Sequence, residues 1–256
     1  MLLNKTILVT GASRGIGRAV VEELLKSYEY TFVVAVVRCR SSLATLQEKY
    51  ESRIAVVEGD LKDEKTSVDS VNTAIQRFGR LDSLILNAAV VEPIGKIADI
   101  DVESWKALFD VNYFSLLYTL KSAIPYLRLV CGRVIFISSG ASTNPYKSMG
   151  AYSGSKAAMN HLSSVLAIEE SSITSVSLRP GVVDTQMQTS LREKHVSNLD
   201  KDMHARFMNL HQTGQLISPE DSARIIVILA LYAKKELSGR YISYDDKELM
   251  EYVTHD

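Results

Sequence analysis

The sequence contains little cysteine, little proline and no long run of apolar residues. Its two cysteines, Cys39 and Cys131, are too few for a disulfide framework and lack metal-ligand spacing, so we expect ordinary packing thiols in a reducing compartment. Only five prolines occur in 256 residues, and the apolar fraction of 46% argues against a disordered chain. No segment approaches the ~20 apolar residues of a membrane span, and the first residues lack the pattern of a signal peptide. These absences predict a cytoplasmic protein without a membrane partner.

A surplus of charge of one sign is also missing. The formal net charge is −1, and the lysines and arginines are scattered, which argues against a nucleic-acid partner. The histidines His195, His204 and His211 lie in a polar segment without a cysteine or acidic cluster at ligand spacing. We therefore expect solvated loop histidines and no metal site.

Short apolar runs alternate with segments of helical periodicity along most of the chain. Strands that are joined through helices are parallel, so the pattern predicts an α/β fold: one Rossmann-type domain over residues 1–256, with a doubly wound parallel sheet flanked by helices. The six predicted strands are Thr6–Val9, Phe32–Val37, Ile54–Val57, Ser83–Leu86, Arg133–Ile137 and Thr174–Leu178. Residues 182–213 are polar and show no clear period, which is typical of a lid or substrate loop. A helix is predicted to resume at Pro219–Lys234.

Three glycines occupy the turn between the first strand and the first helix. The turn reads Thr10-Gly11-Ala12-Ser13-Arg14-Gly15-Ile16-Gly17, and here backbone amides and a helix N-terminus can bind the pyrophosphate of a dinucleotide. NAD would favour a carboxylate at the end of the second strand, but the sequence has Arg38 there. Arg38, with Arg14 inside the turn, suits a 2′-phosphate through charge-assisted hydrogen bonds. We therefore expect NADPH rather than NADH.

A phenol and an ammonium, Tyr152 and Lys156, are spaced i, i+4 and share one face of a predicted helix. An ordinary tyrosine has a pKa near ~10, and the lysine charge is expected to lower it, so that Tyr152 can donate a proton to a carbonyl oxygen. Ser139 ends an apolar strand, at the edge where open parallel sheets bind ligands. Ser139 can therefore hydrogen-bond the oxygen that Tyr152 protonates.

These motifs resemble the short-chain dehydrogenase/reductase family over nearly the whole chain. The marks are the glycine turn, Asn87-Ala88-Ala89, Asn112, Ser139 and Tyr152-x-x-x-Lys156. The resemblance implies that Tyr152 is the general acid or base, that Lys156 assists it and binds the nicotinamide ribose, that Ser139 orients the carbonyl, and that Asn112 anchors a proton-relaying water. The implied cofactor-binding residues are Gly11, Ser13, Arg14, Ile16, Gly17, Arg38, Asp60, Leu61, Asn87, Tyr152, Lys156, Pro180, Gly181, Val183 and Thr185. Ala89 replaces the glycine of the family pattern and is expected to crowd the cofactor.

Within the family, residues 180–188 and 238–246 are similar to the sepiapterin reductase group and its benzil reductase relatives. This similarity implies an NADPH-dependent carbonyl reductase that transfers a hydride to a ketone or an α-dicarbonyl, such as an aryl diketone or a sepiapterin-like compound. It also implies that Asp246 contacts the substrate together with Ser139 and Tyr152, or Asp245 if the alignment slips by one residue.

Two other functions stay open. An NAD(P)-dependent alcohol dehydrogenase that works in the oxidative direction would use the same residues, although Arg38 in place of an acid disfavours NAD. A non-catalytic dinucleotide-binding regulator would share the fold, but it would have no need of Asn112, Ser139, Tyr152 and Lys156 together. The helices around Asn112 and Tyr152 carry more apolar surface than one sheet face needs, which predicts a homodimer or homotetramer.

Overall fold

One parallel sheet organises residues 4–249, which are the residues that the computed structural model describes. Its seven strands are β1 (Lys5–Thr10), β2 (Thr31–Val37), β3 (Ile54–Glu58), β4 (Ser83–Leu86), β5 (Arg133–Ile137), β6 (Thr174–Arg179) and β7 (Tyr241–Ser243). They lie in the order β3-β2-β1-β4-β5-β6-β7, and every neighbouring pair is parallel. The chain reverses its direction of travel across the sheet between β1 and β4, so the carboxyl ends of these strands open a crevice. The predicted fold class is confirmed.

Helices cover both faces of the sheet. They are α1 (Gly15–Ser27), α2 (Ala44–Lys49), α3 (Glu64–Phe78), α4 (Val102–Phe109), α5 (Ser115–Leu129), α6 (Gly150–Glu169), α7 (Gln186–Glu193), α8 (Lys201–Gln212) and α9 (Pro219–Tyr232). Successive strand residues point to opposite faces, so Ile7 and Val9 join the core under α1 and α9, while Leu8 joins the core under α3, α5 and α6. Each such buried aliphatic side chain stabilises the fold by about 1.5–3 kcal/mol.

The structure contains elements that the sequence pattern does not predict. Residues 182–213, which the pattern predicts to be irregular, contain α7 and α8. The buried positions of α7 are Gln188, Leu191 and Arg192, so polar side chains occupy its inward face and hide the helical period. β7 is only three residues long, which is too short for its alternation to be recognised.

Both cysteines are exposed, so the prediction of packing thiols is wrong. Cys39 follows β2, and Cys131 lies in the tight turn between α5 and β5 with a φ of 50°. Connections between elements run over the surface, and this position outweighs the usual preference of a thiol for the core.

One side chain holds the C-terminal end of α1. The Arg53 guanidinium donates to the carbonyl oxygens of Leu25 (3.0 Å), Tyr28 (2.7 Å) and Thr31 (3.0 Å). α1 ends where Tyr28 becomes extended, and the last carbonyl groups of a helix lack partners within the helix. Arg53 therefore joins the end of α1 to the start of β2.

We expect Arg53→Ala to lower the free energy of unfolding by about 2–3 kcal/mol, because several partly buried carbonyl groups lose their donor. For a chain of this size the Tm should fall by roughly 5–10 °C. Arg53→Lys is the control that keeps the charge without the planar fork, and it should restore only part of the loss. An alanine variant that unfolds in urea at the parent's midpoint would contradict the role of Arg53.

Candidate active site

A cavity of about 1110 Å³ lies at the carboxyl ends of the strands. It is lined by residues that follow β1, β2, β3, β4, β5 and β6, and by side chains of α7 and α8. Pockets for a single drug-sized ligand measure roughly 300–1,000 Å³, so this cavity exceeds the usual size for one such ligand.

The N-terminus of α1 faces this cavity with unused donors. Ser13, Arg14, Gly15 and Ile16 line the cavity, and the N-cap residue Arg14 is extended and forms no capping hydrogen bond through its side chain. The first turn contains no acidic residue. The first N–H groups of a helix have no partner within the helix and carry a partial positive charge. This end of the cavity fits a pyrophosphate.

Gly17 shapes the glycine turn without lining the cavity. A Cβ on Gly17 would lie 2.4 Å from the Gly11 carbonyl oxygen and 2.5 Å from Asn87 Nδ2, so a larger residue would push α1 away from β1. Asn87 Nδ2 donates to the carbonyl oxygens of Thr10 (2.9 Å) and Gly11 (3.2 Å). Thr10 Oγ1 accepts from the backbone N–H groups of Asn87 and Ala88. These bonds lock the turn to the end of β4.

Two arginines that line the cavity, Arg14 and Arg38, lie in the turns that follow β1 and β2. The turns that carry them are joined by a hydrogen bond from the Ala12 N–H to the Val36 carbonyl oxygen, at 3.1 Å. Arg38 is exposed and lines the cavity, and it has no hydrogen bond or ion pair to any residue between 4 and 249. Arg14 donates to Gln186 Oε1 on α7, at 2.8 Å. Asp60 and Leu61, which follow β3, line the cavity as well.

Ser139, Tyr152 and Lys156 line the cavity together. Ser139 follows β5, and its Oγ accepts from the Ala141 N–H at 3.1 Å. Tyr152 and Lys156 lie one turn apart on α6, with exposed fractions of 8% and 1%. Lys156 Nζ donates to the Ile137 carbonyl oxygen at 2.7 Å and lies 5.8 Å from the centre of the Tyr152 ring.

Burial changes the proton affinity of both α6 groups. It raises the pKa of the Tyr152 phenol above 10.0, and a hydrogen bond with the Ser139 side chain opposes this in part. It lowers the pKa of Lys156 from 10.5 to about 7. Burial outweighs any lowering of the Tyr152 pKa here, and Lys156 donates to a backbone carbonyl, so a Tyr152 pKa that is lowered by Lys156 stays a prediction. Burial therefore favours the protonated form of Tyr152.

Asn112 is fully buried in a π-helical turn, Asp110–Phe114, between α4 and α5. Its Oδ1 accepts from the Val90 N–H at 2.8 Å, and its Nδ2 donates to the Val90 carbonyl oxygen (2.8 Å) and to Ser155 Oγ (3.1 Å). The side chain does not line the cavity but ties α6 to the segment that follows β4. A water anchored by Asn112 stays a prediction.

The turn after β6 forms another part of the cavity wall. Its lining residues include Pro180, Gly181, Val183 and Thr185. Gly181 has a φ of 82°, a left-handed conformation that favours glycine, and a Cβ there would also lie 2.7 Å from Tyr244 Cε1. Val183 pairs with Ile217 in a short parallel bridge, which fixes both ends of the intervening segment. Thr185 is the N-cap of α7.

The structure does not bring Asp246 to the cavity. The Asp246 carboxylate accepts from the Ser243 N–H at 2.7 Å, which shapes the turn after β7. Asp245 accepts from the Ser243 hydroxyl, which lowers the pKa of Asp245, and it lies 4.0 Å from Arg179. Neither aspartate lines the cavity, whereas Tyr244 of the same turn does, so a substrate contact at Asp246 or Asp245 stays a prediction.

Two of the three lid histidines are not solvated as predicted. His195 Nε2 lies 2.9 Å from Glu92 Oε1, and both side chains line the cavity. His204 Nε2 lies 2.9 Å from the Arg192 carbonyl oxygen, so it joins α8 to the end of α7. His211 is exposed. Between residues 4 and 249, no group of three or more histidine, cysteine or acidic residues could hold a metal ion, and no helix is long and apolar enough to cross a membrane.

Asn160 and Tyr241 stabilise the Ser139 turn, although neither belongs to a motif identified in the sequence. Asn160 accepts from Ser138 Oγ (2.6 Å) and donates to Ser142 Oγ (2.8 Å), so its side chain binds the turn both before and after Ser139. Ser142 Oγ and the Tyr241 hydroxyl donate to the Ser139 carbonyl oxygen at 2.6 and 3.1 Å. Asn160 lies one helical turn after the Tyr-x-x-x-Lys lysine, and this spacing is the signal that could have indicated it. Tyr241 lies on β7, whose place in the sheet depends on long-range pairing.

The remaining wall of the cavity is largely apolar. Its side chains come from the segments that precede α4 and α6 and from the helices α4, α7 and α8; they are Val91, Ile94, Leu108, Met149, Met187, Leu191, Phe207 and Leu210. They belong to one hydrophobic cluster that also contains Tyr152. An aromatic or aliphatic group beside Tyr152 would be desolvated by this wall.

Comparison with known proteins agrees with this geometry. The family model for short chain dehydrogenases matches residues 5–196. An oxidoreductase of Schizosaccharomyces pombe is 43% identical over 242 residues, which cover 94% of this chain and 96% of that protein. A benzil reductase of Saccharomyces cerevisiae that forms (S)-benzoin is 35% identical over 258 residues, which cover 96% of this chain and 98% of that protein. The crystal structure of a short chain dehydrogenase/reductase from Saccharomyces cerevisiae has a TM-score of 0.95 at 38% identity and covers 97% of this chain and 99% of its own. The chain is an oxidoreductase that belongs to the short chain dehydrogenase family.

Proposed function

We propose that the protein is an NADPH-dependent carbonyl reductase that transfers a hydride to a ketone or an α-dicarbonyl, with Tyr152 as the general acid. The observation that carries the proposal is the meeting of Ser139 and Tyr152 in a cavity whose other end is the uncapped N-terminus of α1. The 35% identity to a benzil reductase supports an aryl diketone as the substrate type. A sepiapterin-like compound is the other substrate type that fits a carbonyl beside an apolar wall.

The residues around the cavity fit a nicotinamide dinucleotide. The unpartnered amides of α1 would bind the pyrophosphate, Asp60 and Leu61 the adenine, and Lys156 the nicotinamide ribose. The turn after β6 would meet the nicotinamide. When bound, NADPH supplies the hydride, and the protein supplies position and a proton.

Ser139 and Tyr152 act on the carbonyl oxygen. As the carbonyl carbon gains a hydride, negative charge develops on the oxygen, and hydrogen bonds from both hydroxyls stabilise it. Tyr152 then transfers its proton to this oxygen, which completes the alcohol. Lys156, with a pKa of about 7, exchanges protons near neutral pH and can return one to the phenolate.

The raised pKa of Tyr152 supports the reductive role in the proposal. Oxidation of an alcohol needs a phenolate that accepts a proton, whereas reduction needs a phenol that donates one. Burial raises the pKa of Tyr152 and so favours the phenol.

A homodimer or homotetramer in the cytoplasm is the setting that we propose, and the exposed Phe114 (44%) and Ile168 (83%) supply apolar surface for a subunit contact.

The test follows the absorbance of NADPH and NADH with a panel of carbonyl compounds: benzil, 1-phenyl-1,2-propanedione, sepiapterin and a plain aliphatic ketone. We expect aryl diketones to be reduced with NADPH and much more slowly with NADH. If no carbonyl compound oxidises either cofactor, while NADPH still binds, the proposal is wrong and a non-catalytic dinucleotide-binding role becomes the better interpretation.

Arg38→Asp is expected to weaken NADPH binding by roughly 30- to 150-fold, the equivalent of about 2–3 kcal/mol, because a carboxylate repels the 2′-phosphate. NADH binding should hold or improve, since the carboxylate accepts from ribose hydroxyls. Fluorescence titration of both cofactors measures the two Kd values. Arg40→Asp makes the same charge change two residues away, at an exposed side chain that does not line the cavity, and is the matched control. Equal changes for both cofactors would contradict the assignment.

A further inference from the structure

We propose that the Tyr146 hydroxyl is the hydrogen-bond donor for the second carbonyl oxygen of an α-dicarbonyl substrate. The inference rests on the proposed reductase function and names the residue that would distinguish diketones from simple ketones. Ser139 and Tyr152 serve the oxygen of the carbonyl that reacts. A vicinal second oxygen needs its own donor near the same turn, because a carbonyl that enters a desolvated site without a partner loses its hydrogen bonds to water.

Tyr146 lies between the Ser139 turn and α6 and lines the cavity. Its hydroxyl lies 3.6 Å from the position that a Cβ of Gly140 would occupy. Gly140 directly follows Ser139, so the phenol reaches the turn that binds the reacting oxygen. The Tyr146 ring packs against the apolar cluster that contains Tyr152.

The Tyr146 hydroxyl is an unused donor. It forms no hydrogen bond with any residue between 4 and 249, although the side chain is half-buried. Other hydroxyls of the same turn are already engaged, since Ser138 donates to Asn160 and Ser142 donates to the Ser139 carbonyl oxygen. Buried phenols usually find a partner, so a ligand oxygen in the cavity would supply the one that the protein does not.

The backbone holds Tyr146 in place on both sides. Before it, the Asn144 N–H and Nδ2 donate to the Gly140 carbonyl oxygen at 3.0 and 2.9 Å. After it, the Gly95 N–H donates to the Ser148 carbonyl oxygen at 2.8 Å. The backbone that carries Tyr146 is therefore held in place, so little backbone entropy is lost when an oxygen binds to the hydroxyl.

Two other side chains near the cavity are weaker candidates. Arg179 also approaches the Cβ position of Gly140, with its Cδ at 3.6 Å, but its guanidinium lies 4.0 Å from the carboxylate of Asp245. The ring of Tyr244 contacts the position of a Cβ on Gly181, in the turn after β6 rather than in the Ser139 turn. These contacts favour Tyr146 for an oxygen adjacent to the reacting carbonyl.

Tyr146→Phe removes only the hydroxyl, and its effect is measured as the change in kcat/KM for two substrates of matched shape. Benzil has two vicinal carbonyl groups between two phenyl rings, and deoxybenzoin has the same rings with one carbonyl. We expect kcat/KM for benzil to fall by roughly 5- to 10-fold, as for the loss of one hydrogen bond, and the value for deoxybenzoin to stay within about twofold. If deoxybenzoin is not reduced, its inhibition constant against benzil takes the place of kcat/KM. The ratio of the two hydroxyketones formed from 1-phenyl-1,2-propanedione should change as well.

Two further hydroxyl deletions make the result specific. Tyr126 lies on α5, packs against the core and does not line the cavity. Tyr126→Phe therefore shows how much the loss of a distant phenol changes kcat/KM for either substrate. If Tyr146→Phe lowers kcat/KM equally for both substrates, the assignment is wrong. The assignment is also wrong if Tyr244→Phe, rather than Tyr146→Phe, lowers kcat/KM for the diketone alone. A parent protein that reduces no carbonyl compound contradicts the proposed function, and this inference with it.

Discussion

Tyr152→Phe is expected to reduce turnover by about 10²- to 10⁴-fold while NADPH binds as tightly as to the parent protein. The substitution removes the hydroxyl that we propose as the proton donor to the carbonyl oxygen, and general acid catalysis contributes a factor of this size. Phenylalanine fills the same space within the apolar cluster around Tyr152, whose exposed fraction is only 8%, so the fold should persist. Single-turnover kinetics with saturating NADPH measure the chemical step, and a titration of the cofactor measures binding.

Turnover and NADPH binding in Tyr152→Phe, compared with those in Ser139→Ala, show whether Tyr152 is the proton donor. Ser139→Ala should reduce turnover less than Tyr152→Phe, because the proton donor stays in place and only one stabilising hydrogen bond is lost. A phenylalanine variant that reduces benzil at the parent's rate would show that Tyr152 is not the acid. A loss of NADPH binding equal to the loss of turnover would indicate that the phenol holds the cofactor rather than the substrate oxygen.

Much of the fold is predictable from the sequence because the interactions that create it are local or repeat along the chain. A strand that is buried on both faces, such as Val33 to Val37 within β2, reads as an uninterrupted apolar run. The glycine turn is recognisable because close approach and unusual backbone angles select one residue type. Tyr152 and Lys156 share a helix, so their spacing alone places both on one face.

The features that escape prediction depend on contacts between distant parts of the chain. Glu92 and His195 meet across 103 positions, so nothing near either residue indicates the pair. Tyr241 reaches the Ser139 carbonyl only because β7 adds to the edge of β6. Asp246 accepts from the Ser243 N–H and does not line the cavity, and its similarity to a substrate-binding position does not reveal this local bond. The pKa of Tyr152 depends on burial, which no spacing reveals.

Lys156→Met is expected to stabilise the fold at neutral pH and to abolish most of the activity. Lys156 is 1% exposed, and burial lowers its pKa from 10.5 to about 7. Between these values the unfolded chain binds more protons than the folded protein, so the parent's stability rises with pH. Below about pH 7 the folded parent bears the full penalty of a buried ammonium, a few kcal/mol. Methionine has a similar length and no charge, so the variant avoids this penalty.

The gain from Lys156→Met should shrink as the pH rises from about 7 towards 10.5 and then change sign, because the variant also lacks the hydrogen bond to the Ile137 carbonyl oxygen, worth about 1 kcal/mol. Urea unfolding of parent and variant at about pH 6 and about pH 11 measures both regimes. Lys121→Met, at an exposed position on α5, is the control and should show no such crossover. A Lys156→Met protein that is less stable than the parent at both pH values would mean that the buried ammonium is fully compensated in the fold. Greater stability together with lost turnover would instead show that Lys156 is retained for the reaction at the expense of the fold.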